Sequence, residues 1–206
     1  MAVTKSEVAV VRFGDHRLPR ALAQIPAVDA DGPDPIEALL TGVRRIVVLG
    51  SDADLASVLT RLMRAELLDV EVARVHPGLR GARDARRAVR GSARRVPLVR
   101  DETGTAVVGS ALWLPAGGAA ALHGEAVVDD AVLFDGEVAG VRIEPTAQLP
   151  GLRATVLGRR PRVWVSGRAA QLGTTGVAVV RDGVPGGREL KRSTFYRHTT
   201  GWLRVN

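Results

Sequence analysis

The segment Ile46 to Met63 constrains this chain more than any other. Ile46-Val47-Val48-Leu49 is an unbroken apolar run, the pattern of a parallel strand covered on both faces. Gly50 ends it. Leu55, Val58, Leu59, Leu62 and Met63 then recur at i, i+3, i+4, i+7 and i+8, which is one face of a helix. Ser51 and Asp54 have capping-box spacing, in which a hydroxyl and a carboxylate satisfy amides at a helix start. Asp69 to Val75 reads as another strand. Strand, helix and strand in that order need a crossover, so a parallel sheet is predicted here.

Around this unit the chain divides into two parts. Val8 to Phe13 reads as a first strand ending at the turn Gly14-Asp15-His16, with a short helix from about Pro19 to Gln24. Asp29 to Pro35 is loop-like, and Pro35 opens a second short helix through Leu40, a favourable first-turn position for proline. Gly78 to Arg95 is rich in Ala and Arg and is predicted helical from Arg83 to Val89.

After Pro97 short Val-rich runs alternate with Gly-containing turns. Val96 to Arg100 and Thr105 to Val108 flank a turn and suggest a hairpin. Further strands are expected at Ala126 to Asp129, Val138 to Ile143, Arg153 to Leu157, Arg162 to Val165 and Val177 to Val180. A last hairpin is expected between Ser193 to Arg197 and Trp202 to Val205. Arg159-Arg160-Pro161-Arg162 reads as an exposed hairpin tip. The expected fold class is therefore α/β, a parallel βαβ portion followed by an antiparallel β-rich portion. The division falls near residue 95, giving domains 1–95 and 96–206, with the final strands free to return to the first.

Composition narrows the function classes. At 206 residues and 46% hydrophobic, the chain can bury one large core or two small ones. It has no cysteine, which excludes disulfides, thiolate metal sites and a cysteine nucleophile. No apolar run reaches the roughly 18 residues of a membrane span, and Met1 to Glu7 is polar, so the cytoplasm is the expected compartment. The net charge of +7 is almost wholly arginine, since Lys5 and Lys191 are the only lysines. His16, His76, His123 and His198 are scattered and read as structural or exposed. His-Glu-x-x-His, Gly-x-Ser-x-Gly and Gly-x-x-x-x-Gly-Lys-Ser/Thr motifs are absent, and no residue is assigned to a metal. Trp113, Trp164 and Trp202 read as core or interface anchors.

Gly50-Ser51-Asp52-Ala53-Asp54-Leu55 stands between strand and helix, where unpaired amides and the helix dipole favour phosphate. It resembles the Gly-Gly-Asp-Gly-Thr-Leu loop of the diacylglycerol-kinase-like and NAD-kinase-like families. Gly50, Asp52 and Leu55 match; Ser51, Ala53 and Asp54 depart. Arg181-Asp182-Gly183-Val184-Pro185 resembles the late Asp-Gly-Glu segment of bacterial lipid kinases, with Val184 where the Glu would be. His76-Pro77-Gly78 through Arg86 is loosely similar to their Pro-x-Gly-Thr-x-Asn-Asp segment, and no Asn-Pro-x-Ser-Gly stands near the first strand.

Val128-Asp129-Asp130, Leu133 to Glu137, Gly167 to Gly173 and Ser193 to His198 resemble a group of actinobacterial proteins distantly related to that fold. The resemblance implies a nucleotide-binding protein of the lipid-kinase fold, with ATP and Mg²⁺ as cofactors. Gly50, Ser51 and Asp54 would then lie at phosphate, Asp52 would orient phosphate or Mg²⁺, and Asp182 would be the base. The acceptor would be a lipid or another hydroxyl compound.

The same residues have plainer readings. Ser51 and Asp54 suffice as a helix cap, and Asp182-Gly183 is a strong turn signal. A non-catalytic interaction protein, a pseudoenzyme keeping only the fold, therefore stands as the alternative. A third reading rests on Arg83, Arg86, Arg87 and Arg90, which share a helix face able to meet anionic lipid at a membrane periphery, RNA or an acidic protein by charge. No aromatics interleave that cluster, which argues against sequence-specific nucleic-acid binding.

Overall fold

The computed structural model describes residues 7–30, 42–78, 81–158 and 161–206. In chain order its elements begin with β1 (Val8–Arg12), β2 (Ala27–Asp29), β3 (Arg45–Leu49), helix α1 (Asp52–Arg64), β4 (Glu71–Val75), helix α2 (Gly81–Arg90) and β5 (Ala93–Val96). There follow β6 (Val99–Asp101), β7 (Ala106–Val107), β8 (Ala111–Pro115), β9 (Leu122–Val128), β10 (Ala131–Val138), β11 (Val141–Pro145) and β12 (Leu152–Val156). The last are β13 (Val165–Gly167), β14 (Ala169–Arg181), β15 (Val184–Pro185), β16 (Leu190–Arg197) and β17 (Trp202–Val205). They form two compact units, Met1–Val96 with Gly201–Asn206, and Pro97–Thr200.

The first unit is built on a six-stranded sheet in the order β2-β1-β3-β4-β17-β5. β1, β2, β3, β4 and β17 run parallel, and only β5 is antiparallel to its neighbour. All five residues of β3 are buried, as its apolar run requires of a central strand. Val47 and Leu49 join Val10, Ala73, Val75, Leu22, Ala85 and Ala88 in one core, so α2 covers that face. Ile46 and Val48 alternate to the other face. The buried stripe of α1, Leu55, Val58, Leu59 and Leu62, belongs to that side. The connection leaving β1 runs to β2 on one side, and the connection leaving β3 runs to β4 on the other. Strand order therefore reverses between β1 and β3, and the carboxyl ends of such strands leave a crevice.

Several local expectations change. The helix expected from Pro19 to Gln24 is one 3-10 turn, Arg20–Leu22, closed by Leu22 N–H on Pro19 O at 2.8 Å. The chain must pair Ala27 with Val10 only a few residues later, which leaves no length for a second turn. The helix expected at Pro35 to Leu40 lies outside the described residues. Arg83 to Val89 is helical within the longer α2. Ala93 to Arg95, the end of the Ala- and Arg-rich stretch, joins Val96 in edge strand β5, so Val96 does not belong to the hairpin expected from Val96 to Arg100.

The second unit holds an eleven-stranded antiparallel sheet whose main path is β13-β12-β11-β8-β14-β16-β6-β7. β14 organises it. Its register breaks between Gly173 and Val177; the first half pairs with β9 and β16, the second with β8 and β15. The core beneath includes Trp113 and Phe195, their ring centroids 5.9 Å apart, and the buried Trp113 indole N–H donates to Ser193 Oγ at 2.9 Å. β6 and β7 form the hairpin expected around Asp101 to Gly104.

The expected last hairpin does not form. β16 pairs with β14 and β6, whereas β17 fills the gap between β4 and β5 in the first unit. Two β-prone runs around Thr199-Thr200-Gly201 carry the local signal of a hairpin, but the parallel sheet needs a strand beside β4. The run Val138 to Ile143 is also split, at Gly140 with φ of 144°, into β10 and β11. No helix among the described residues is long and apolar enough to cross a membrane.

Candidate functional site

Gly50-Ser51-Asp52-Ala53-Asp54 leads from β3 into α1 and folds back on itself. Ser51 Oγ accepts Asp54 N–H at 3.2 Å, while Asp54 Oδ2 accepts Ser51 N–H at 2.8 Å and the Ser51 hydroxyl at 2.7 Å. The capping box read from the spacing is complete. Gly50 is needed for it, because a Cβ there would come within 2.5 Å of Asp54 Oδ2. Asp54 thus occupies the α1 N-terminus, the place a phosphate would take.

Asp52, the first residue of α1, pairs with Arg74 of β4. Arg74 also meets His76 Nε2, and His76 Nδ1 lies 2.8 Å from Asp84 Oδ2 on α2. A guanidinium can only donate, so Nε2 accepts and Nδ1 carries the proton given to Asp84. Carboxylate, guanidinium, imidazole and carboxylate therefore run in series from the start of α1 to the first turn of α2. The sequence offers no spacing rule that joins these four, since they come from α1, the end of β4 and α2.

Beside this chain, at the carboxyl ends of β1, β3 and β4, lies an open cleft of about 780 Å³. Leu49 ends β3 on its wall, and Gly81 and Ala82 bring the first turn of α2 to it. Among the described residues its charged and titratable lining is His16, Arg17, Arg20, His76 and Arg86, with no carboxylate. His16, Arg17, Arg20 and Arg86 are exposed, and among the described residues the three arginines form no ion pair or hydrogen bond through their side chains. A helix start with three uncommitted guanidiniums favours an anion. Sequence reasoning missed His16, Arg17, Arg20 and His76. The available signal was their place in the segments that follow β1 and β4, where ligands of such sheets bind.

Asp182, which the resemblance makes the base, lies in the second unit. It occupies the left-handed region at φ 49°, followed by Gly183 at 85°, in the tight turn between β14 and β15. Its Oδ2 accepts Val108 N–H at 2.9 Å, and its Oδ1 accepts Gly109 N–H at 2.7 Å and Ser110 N–H at 2.9 Å. Three amides hold the oxygens from which a base would act, so Asp182 clamps a loop. Asp129, at φ 51°, uses its carboxylate in the same way on Arg168 and Ala169 N–H.

Arg83, Arg86, Arg87 and Arg90 are all exposed on α2, opposite its buried Ala85 and Ala88. Only Arg86 of the four reaches the cleft.

No protein-family model matches the chain, and no curated protein sequence does. Solved structures do. A protein from Bacillus anthracis str. Sterne assigned as a diacylglycerol kinase superposes with a TM-score of 0.76 at 11% identity, covering 98% of this chain and 97% of that one. An NAD kinase from Archaeoglobus fulgidus in complex with ATP gives 0.65 at 14% identity, covering 97% and 93%. This chain has the kinase fold of these structures. Yeast NADH kinase complexed with NADH shares it as well, with a TM-score of 0.65 at 8% identity over 98% and 84% of the two chains. At these identities the likeness is one of fold.

Proposed function

We propose that the first unit binds a nucleotide or another polyphosphate in the cleft at the carboxyl ends of β1, β3 and β4. The observation that carries this reading is the lining itself: among the described residues Arg17, Arg20, Arg86, His16 and His76 line the cleft and no carboxylate does. The solved neighbours complexed with ATP and with NADH support the nucleotide class. The residues present fit ATP. Guanidiniums and the α2 start would hold its phosphates, and the apolar wall of Leu18, Pro19 and Leu49 offers the base a surface. Ser51 and Asp54 then serve as the cap of α1, with Gly50 making room for it. Asp52 acts at one remove, fixing Arg74 and through it His76. The test is calorimetric titration with ATP. Saturable binding should weaken in the Arg17→Gln/Arg86→Gln protein and survive Asp182→Asn; equal affinity in the double variant would place nucleotide elsewhere.

Phosphoryl transfer to a lipid or other hydroxyl acceptor is a second reading, favoured by the position of Asp52 at the first turn of α1. It requires turnover that Asp52→Asn abolishes. Transfer unaffected by that change would leave a binding protein of the kinase fold. The exposed Arg83, Arg87 and Arg90 support a further, peripheral contact with anionic lipid, which predicts vesicle binding that falls steeply with salt.

A further inference from the structure

We infer that the cleft's ligand and an anionic bilayer compete for Arg86, so that each displaces the other from the first unit. This rests on the reading that the cleft binds a polyphosphate, and it adds the regulation of that site. Arg83, Arg86, Arg87 and Arg90 are all exposed on α2, and among the described residues none makes an ion pair or hydrogen bond through its side chain. The one acidic residue of the helix, Asp84, is engaged by His76 Nδ1 at 2.8 Å. Arg83 and Arg90 are seven residues apart, so the basic stripe is about 10 Å long. None of the four guanidiniums is fixed by a second side chain, which suits a diffuse field of lipid head groups better than a partner of set carboxylate geometry. The helix also holds no aromatic residue on which a nucleic-acid base could stack.

Arg86 belongs to two stripes of the same helix. Ala82 and Arg86 stand at i and i+4, and both line the cleft. Arg83, Arg87 and Arg90 stand at i, i+4 and i+7, with Arg86 three residues after the first and four before the last. A guanidinium laid on cleft phosphates is withdrawn from a bilayer, and one laid on a bilayer is withdrawn from the cleft. Each basic side chain near an anionic surface strengthens attachment about fivefold, so the loss of Arg86 removes that factor. A polyphosphate held by Arg86 also lies within about 8 Å, one Debye length, of its helix neighbours and repels the same head groups. By linkage the effect is reciprocal: lipid must weaken ligand binding by the factor with which ligand weakens lipid binding.

The experiment measures the full chain against both ligands at matched low ionic strength. Cosedimentation with phosphatidylcholine vesicles carrying about one-third phosphatidylglycerol reads lipid binding, and calorimetry reads ATP binding. Saturating ATP should weaken vesicle binding about fivefold or more, and saturating vesicles should weaken ATP binding by the same factor. The Arg83→Gln/Arg87→Gln/Arg90→Gln protein should lose the vesicles and keep saturable ATP binding. Arg86→Gln should weaken both, and the effect of ATP on the vesicle binding that remains should shrink toward none. Circular dichroism should show both variants folded. Vesicle binding that saturating ATP leaves unchanged or strengthens would overturn the competition while the cleft reading stands. Failure to bind anionic vesicles, with ATP binding intact, would overturn it in the same way. Absence of ATP binding, with or without vesicles, would overturn the cleft reading itself and the inference with it.

Discussion

Arg45 couples the sheet to the helix that carries the cleft, and its replacement tests how that wall is held. The side chain is 3% exposed on β3. Its Nε donates to Glu71 Oε2 at 2.6 Å, one terminal nitrogen donates to Ala88 O and Val89 O at 2.8 Å each, and the other to Gly91 O at 2.9 Å. These carbonyls lie at the end of α2, where intrahelical partners run out, and the guanidinium meets the negative end of the helix dipole. Arg45→Met keeps most of the volume and removes every donor. Four charge-assisted bonds taken singly would sum to about 6–12 kcal/mol. The bonds to Val89 and Gly91 are only part-buried, and Arg44 still reaches Glu71 at 3.2 Å, so the net loss is smaller. The value for breaking a buried pair, about 3–5 kcal/mol, is the better guide.

With an urea m-value of about 2 kcal/mol/M, the midpoint of the first unit should fall by roughly 2 M. Far-UV circular dichroism against urea reads this, and amide exchange from Arg87 to Gly91 should accelerate with it. Arg45→Lys retains the charge but not the fork, and should lie between Met and the parent. A loss under about 1 kcal/mol in Arg45→Met, with exchange in α2 unchanged, would refute the reasoning, since the carbonyls would then not depend on Arg45.

Gly50→Ala places a Cβ against Asp54 Oδ2 and should break the α1 cap, lowering stability by about 1 kcal/mol in chemical unfolding. Asp182→Ala releases three amides and should cost about 2–4 kcal/mol in the unfolding of the second unit, with ATP affinity unchanged. Loss of affinity without loss of stability would contradict the clamp. His198 is held below the ordinary histidine value of 6.5 by burial and then by the neighbouring Arg100. The unfolded chain therefore takes up this proton first as pH falls. Stability present above about pH 6.5 is lost as pH falls through the lower folded value. Melting temperatures from pH 7.5 to 5 should show this slope, and His198→Gln should flatten it.

Short-range physics was readable in the sequence. The apolar run of β3, the heptad-like stripe of α1 and the Ser51/Asp54 cap depend on residues within a few positions of one another, and each is found where its spacing placed it. The α/β-then-antiparallel class followed from the change in pattern after Pro97. What needed the folded chain was long-range. β17 pairs with β4 across about 130 residues of sequence, and a local hairpin signal at Thr199 to Gly201 could not reveal that. Asp182 read first as a turn residue and second as a base, and neither reading could show its partners Val108, Gly109 and Ser110, more than 70 positions away. The cleft assembles Arg17, His76 and Arg86 from three separate segments, none of which carries a motif alone.

The central claim is that ligand occupies the cleft at the ends of β1, β3 and β4. Amide chemical-shift mapping during an ATP titration of the isotope-labelled chain tests it most directly. The account predicts that the largest shifts fall on His16 to Ala23 and on His76, Gly78, Gly81 and Ala82, saturating together. Shifts confined to other segments, or none at millimolar ATP, would contradict it.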